Sequence, residues 1–316
     1  MRSAAYETVV SADASREEWL LARAGLITAS DVPAILGIVP GKPKLWYEKV
    51  GLLERGDPAE PEVLEMGHDM EPFCATQYVK KTGRKVRRCQ SLLRSKQYPW
   101  LGATLDYWTW LPGEKKPGPL EMKATGNKEL WPDDGQPAMK FQAQLQTQII
   151  VAGTEWGSLS AIIGSPYIHH RWIDFERDAA LCDMILTETQ AFAESVQSGT
   201  NPPVDGDEST SEALRHLVLN VLAGTTVVLP PEALDWDQEL QAAKAAIAQW
   251  EQRKRFYENV LMTAIGDHET GELPYDSGRY TFKRQTRAAH SVKESTFRKL
   301  SRVAPKRKRV STLEAA

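Results

Sequence analysis

Cysteine is scarce in this sequence: Cys74, Cys89 and Cys182 are far apart, and no two form a Cys-x-x-Cys pair. That excludes a disulfide scaffold and a cysteine-rich zinc centre, and it suits reduced thiols in a cytosolic protein. Long apolar runs are missing too. The opening residues, MRSAAYETVVSADASREEW, have none, so neither a signal peptide nor a membrane span is expected. Net charge is small, formally -3, so any surface for a polyanion has to be local. What the sequence does have is 41% hydrophobic residues, enough for a core, in a chain of 316 residues. That length points to one large domain with an appendage or a second small domain.

Residues 15–24 predict a helix, with Ser15 as N-cap, Glu18 closing a capping box and Gly25 as the stop. TASDVPAILG offers Thr28 or Ser30 as the cap of a short helix, KLWYEKVGLL predicts another, and VLEMGHDMEPFCATQYVKKTG a longer one ending at Gly83. KVRRCQSLLRS, LGATLDYWTWL and PLEMKAT predict three strands, the last two joined by the turn PGEKKPGP. A helix over 138–153, strands at WGSLSAIIG and HHRWIDF, and a helix over 178–196 complete a core expected to be α/β or α+β, a mixed sheet flanked by helices. The domain reading is a core over 1–198, a linker or exposed loop over 199–230, and a long helix with a basic extension over 231–316. In that helix Leu240, Ala243, Ile247 and Trp250 begin a stripe at spacings of three and four, which Lys254 interrupts. From Gly278 to Val310 there are twelve Lys/Arg against one acid, Glu294, a charge excess hidden by the near-neutral total.

Strand residues two apart share a face, so Glu121 and Lys123 point one way and Leu120 and Met122 the other. If 101–111 and 118–125 are neighbours, the turn brings Asp106 beside Glu121. Paired carboxylates repel and are costly to desolvate, and a divalent cation relieves both effects. Oxygen ligands suit Mg²⁺, with Mn²⁺ as a substitute, and Lys123 then lies where it can orient water or offset phosphate charge. A bare Glu-x-Lys on a solvated strand face accounts for the pair equally well. Glu71, in the first part of its helix, offers a third acid. Gln142 and Gln146 share one face of the 138–153 helix, and Gln144 and Gln148 share another.

The stretches EEWLLARAGLITASDVPAILG, MGHDMEPFCATQYVKKTG, LGATLDYW, LEMKA and QAQLQTQIIVAG, in that order, resemble the lambda exonuclease and YqaJ-like viral recombinase family of the PD-(D/E)xK nuclease superfamily. The resemblance spans about residues 17–153, and it implies a restriction-endonuclease-like core reaching about residue 197. It implies Asp106, Glu121 and the Met122 carbonyl as metal ligands, with Glu71 as the additional acid and Lys123 as the catalytic lysine. Gln144 and Gln146 match a Gln-x-Gln motif, with Gln146 nearer the active site. Arg23 and Ser30 match positions that bind a terminal 5′-phosphate, and Trp131 is the candidate for a DNA contact or a wedge at the duplex end. Asp106 is followed by Tyr107 and Trp108 where the family often has Asp-Gly.

The activity implied is a Mg²⁺-dependent 5′-to-3′ exonuclease on linear duplex DNA with a 5′-phosphorylated end, leaving 3′ single-stranded tails for phage-type recombination. The partners implied are a single-strand annealing protein and further copies of the chain in a trimeric ring, in a bacterial or phage-infected cell. An endonuclease of the same superfamily and a non-catalytic DNA-binding module using the basic tail are the alternatives.

Overall fold

The computed structural model describes residues 5–53, 61–132, 135–164, 168–217 and 225–284. They fall into two compact units, one within Met1–Leu219 and one within Asn220–Thr296. The first unit begins with β1 (Tyr6–Val10), α1 (Arg16–Ala24), β2 (Ile27–Thr28), α2 (Val32–Ile35), α3 (Lys42–Lys49) and α4 (Pro61–Thr82). Next come β3 (Val86–Arg88), β4 (Leu92–Ser95), β5 (Leu101–Thr104), β6 (Tyr107–Thr109) and β7 (Gly118–Thr125). It ends with α5 (Met139–Ala152), β8 (Trp156–Gly164), β9 (Ile168–Glu176), α6 (Ala179–Ser198) and α7 (Glu208–His216). The second unit holds α8 (Ala233–Ile265) and the short hairpin of β10 (Thr270–Glu272) and β11 (Arg279–Thr281).

Two mixed sheets organise the first unit, in the orders β1-β4-β5-β2 and β3-β6-β7-β8-β9. In each sheet one neighbouring pair is parallel, β2 with β5 and β7 with β8. Parallel neighbours need a crossover, and α5 supplies the one between β7 and β8. This is the α/β arrangement expected, a mixed sheet with helices against it. The capping box at Ser15 and Glu18 forms as the sequence predicts.

Alternation along β7 sorts its side chains between two helices. Leu120 and Met122 join Cys74 and Tyr78 of α4 in one buried cluster, with Tyr107 and Ile162. Glu121 and Lys123 face the other way, where α5 lies; that helix packs against β4 and β5 as well as β7 and β8, so it spans both sheets.

The structure departs from the sequence reading at two strands. Residues 85–95 and 101–111, each expected as one strand, are each divided between the two sheets. Gln90, with φ 57°, turns the first stretch in a region of backbone space that side chains other than glycine seldom adopt. Leu105 and Asp106 turn the second beside it. The Cys89 amide donates to Asp106 O at 2.9 Å and the Gln90 amide to Leu105 O at 2.7 Å, so both crossings run side by side. Tyr107 and Trp108 then open β6 facing opposite sides. Tyr107 enters the α4 cluster, and Trp108 stacks on Tyr6 at 5.9 Å in the other core. The aromatic pair after the aspartate is thus a packing feature of the sheet junction.

Three smaller differences follow from tertiary context. β1 has no clear periodic signal and forms by pairing with β4. Asp31 occupies the N-cap position of α2 without a side-chain capping bond, and Thr28 belongs to β2, so neither Thr28 nor Ser30 is the cap. Within 199–230, Asp207 caps α7, whose buried Thr210 and Ala213 return the chain to the core beside α3. In the second unit Gly271 lies so close to Ile265 that a Cβ would sit 2.8 Å from that side chain. The basic stretch from residue 285 onward, including PKRKRV, lies outside the described residues.

Candidate active site

The carboxylate cluster sits where the two sheets meet. Glu121, 3% exposed in the middle of β7, is held by three side chains: Oε1 receives Lys123 Nζ at 2.6 Å and Gln144 Nε2 at 2.6 Å, and Oε2 receives Gln148 Nε2. Asp106 lies at the point where β6 would continue opposite β7 had the chain not left for the other sheet. Its Oδ2 accepts the Met122 amide at 2.8 Å, so a side chain takes the place of a backbone acceptor. Glu71, one helical turn before Cys74 on α4, accepts Gln90 Nε2 at 2.7 Å through Oε2.

These acids feel one another. Burial, then the charges of Glu121 and Glu71, hold the Asp106 carboxyl well above the ordinary carboxylate range, and Lys123 offsets only part of this. Burial by itself would lower the Lys123 pKa, but Glu121 and Asp106 reverse that, so the net shift is upward. Lys123 is therefore an ammonium at neutral pH.

Three carboxylates with one lysine among them leave an anionic excess, and all the donor atoms are hard oxygens. Such a set fits Mg²⁺ or Mn²⁺ rather than a thiolate- or imidazole-loving metal. The buried Oε1 of Gln148, which has no hydrogen-bond partner among the described residues, adds a further oxygen beside Glu121. Among the described residues no three His, Cys, Asp or Glu side chains are already drawn together as a ligand cage.

Two expectations need correction. Gln146 is not at the carboxylates: its Nε2 donates to Glu176 O at 2.8 Å, and its Oε1 accepts the Asp178 amide at 3.1 Å. Residues two apart on a helix point to different sides, so Gln146 ties α5 to the β9–α6 turn. Gln144 and Gln148, one turn apart, reach Glu121 instead. Trp131 is 6% exposed and packs with Leu145, Ile149 and Leu159, which makes it a core residue that cannot wedge a duplex end.

Arg23 and Ser30 lie side by side. Arg23 Nη2 donates to Ser30 Oγ at 2.6 Å, and the guanidinium lies 4.8 Å from the Trp19 ring centre. Behind them Asp31 and Lys49 form a buried ion pair at 3.1 Å. Asp31 Oδ2 also accepts the Thr28 amide and hydroxyl, each at 2.9 Å, while Lys49 donates to the carbonyls of Arg23 and Leu26. The loop from Thr28 to Asp31 is thereby fixed beside β5, whose far end leads to Asp106. Sequence reasoning did not single out Gln90, Asp31 or Lys49 for the site. For Gln148 the signal was present in its spacing from Gln144.

Among known proteins, residues 18–155 match the model of the YqaJ-like viral recombinase domain. The uncharacterized protein YqaJ of Bacillus subtilis (strain 168) is 27% identical over 269 residues, covering 83% of this chain and 82% of that protein. The crystal structure of an alkaline exonuclease from Laribacter hongkongensis aligns with a TM-score of 0.49 at 23% identity, covering 58% of this chain and 93% of that one. A phage-related exonuclease from Haemophilus somnus 129PT aligns with a TM-score of 0.42 at 11% identity, covering 56% and 96%. The segment that brings Arg23, Ser30, Glu71, Asp106, Glu121 and Lys123 into place is the segment that is similar to the YqaJ-like viral recombinase domain.

Proposed function

We propose that the protein is a divalent-metal-dependent deoxyribonuclease that degrades linear duplex DNA from 5′-phosphorylated ends. The observation that carries this reading is the junction of Asp106, Glu121 and Lys123, with Glu121 and Lys123 2.6 Å apart on one face of β7. Asp106, Glu121 and the Met122 carbonyl would hold Mg²⁺, with Glu71 alongside and Mn²⁺ able to substitute. The bound cation would supply Lewis-acid stabilisation of the charge that builds on the phosphoryl oxygens.

The chain's own residues do the rest. Lys123, raised in pKa by its carboxylate neighbours, is placed to orient the attacking water and offset phosphate charge. Gln144 and Gln148 hold the Glu121 carboxylate in one orientation through both oxygens. Arg23 offers a guanidinium fork for a terminal phosphate, and Ser30 a hydroxyl beside it. A site that reads a terminal 5′-phosphate favours ends over internal bonds, which supports 5′-to-3′ polarity and 3′ single-stranded tails. Those tails suit a single-strand annealing protein in phage-type recombination, and a ring-shaped homo-oligomer, a trimer in this reading, would keep the enzyme on its substrate. The near-neutral chain would hold the DNA backbone through local positive charge, with the basic stretch after residue 284 as a candidate.

The test is digestion of end-labelled linear duplex with Mg²⁺ or EDTA, beside covalently closed circles and the variant Lys123→Ala. Loss of linear duplex only with Mg²⁺, intact circles and an inactive Lys123→Ala are expected. Cut circles would make it an endonuclease, and binding without any turnover would make it a DNA-binding module.

A further inference from the structure

Helix α8 carries a stripe that the carboxylate site does not use. Leu240, Ile247, Lys254 and Leu261 recur every seven residues. Ala243, Trp250, Tyr257 and Ala264 follow each of them by three, which is the spacing of a coiled-coil seam. Ile247, Trp250 and Tyr257 are 58%, 64% and 54% exposed, and Ile265 at the end is the residue of this helix that is buried.

We propose that a second copy of this chain covers the stripe, the two α8 helices packing antiparallel about a two-fold axis. In that arrangement each layer joins a residue of the first series to one of the second. Leu240 meets Ala264, Ala243 meets Leu261, and Ile247 meets Tyr257, so large side chains face small or complementary ones and the seam can fill. Trp250 meets Lys254, and an ammonium over an indole face is a favourable contact. A parallel pair would instead stack Lys254 on Lys254 and Trp250 on Trp250 and would leave Ala243 and Ala264 facing themselves.

The flanking charges agree in part. Lys244 comes opposite Glu258 on both sides of the axis, while Glu251 and Arg253 each meet their own copy, on opposite edges at the axis itself. Those last pairs are solvent-exposed and screened by salt, so their repulsion is small. The present pair of Lys254 with Glu258, 3.6 Å apart, is itself exposed and contributes little that Lys254 would lose.

The experiment places two cysteines in one layer of the full-length chain, Ala243→Cys with Leu261→Cys. Along a single helix these positions are about 27 Å apart, so a disulfide between them has to join two copies. The expected result is a covalent dimer on oxidation whose peptide map joins 243 to 261. Neither single variant should link through its new cysteine. Ile247→Asp, added to the double variant and checked for retained helix by circular dichroism, should lower the linked fraction about tenfold; Trp250→Ala is the milder companion. A link of 243 to 243 in the single variant would overturn the antiparallel arrangement. Absence of any link, with the helix intact, would show that no second copy covers the stripe. None of these readouts depends on hydrolysis or on assembly through the first unit.

Discussion

Gln148 of α5 donates its amide to Oε2 of Glu121 on β7, and through that bond the crossover helix holds the central carboxylate of the site. Gln146, two residues earlier on the same helix, makes equally well-defined bonds to Glu176 and Asp178 on the opposite side. Two neighbouring glutamines therefore have separable consequences. Gln148→Leu should lower the hydrolysis rate by about tenfold to a hundredfold, within the range for groups that orient a reacting site. Gln146→Leu should cost about 1–3 kcal/mol of stability by stripping a part-buried carbonyl and amide of their partner, with the rate per folded molecule retained. Digestion rates and thermal melts of both variants check this.

Asp106 gives the cation dependence its sign. Its folded-state pKa is raised, so the stability linked to this group is present at low pH and lost as pH rises through the raised value. A cation needs the carboxylate, so Mg²⁺ binding should release a proton between the ordinary aspartate value and the raised one, and affinity should weaken as pH falls. Calorimetry in two buffers of different ionisation enthalpy measures the release. Asp106→Asn should abolish the proton release and, in EDTA at neutral pH, raise the melting temperature. A lower melting temperature would contradict the burial and like-charge penalty assigned to this carboxylate.

His170 provides an independent pH probe on the far side of the sheet. Its Nε2 lies 2.9 Å from Ser160 Oγ, and burial, then the Lys81 charge, push its pKa down to about 4. A lowered pKa on a base means that stability is complete above the ordinary histidine value and is lost as pH falls from about 6.5 toward 4. The imidazole proton resonances of His170 should titrate near 4.

Trp131 belongs to packing, and its substitution should say so. Trp131→Ala should destabilise the first unit by about 3–5 kcal/mol. DNA affinity, corrected for the folded fraction at low temperature, should be unchanged. A selective loss of DNA binding with an unchanged melt would restore a surface role.

The outcome at Trp131 marks where the sequence stopped being readable. Period-two alternation was enough to put Glu121 and Lys123 on one face and Met122 on the other, because that follows from strand geometry alone. The helices with caps were legible for the same local reason, as at Ser15. The breaks at Gln90 and Asp106 were not, since no glycine or proline marks either one, and only pairing with different partners divides the two stretches. Trp131 looked like a loop residue because it lies in ELWPDDGQP, and its burial comes from α5 and β8, distant in sequence. Gln146 was placed by motif, whereas helical phase puts Gln144 with Gln148.

The paired crossings at Gln90 and Asp106 also set how the chain tolerates changes in length. A residue gained or lost in the exposed turn over 112–117 can be absorbed without moving either end of β6 or β7. The same change within Leu101–Thr104 shifts every following side chain to the opposite face, and Asp106 would point away from Met122. Insertions and deletions should therefore separate sharply along one hairpin: harmless at its tip, and ruinous within a few residues of the place where the strand changes sheets.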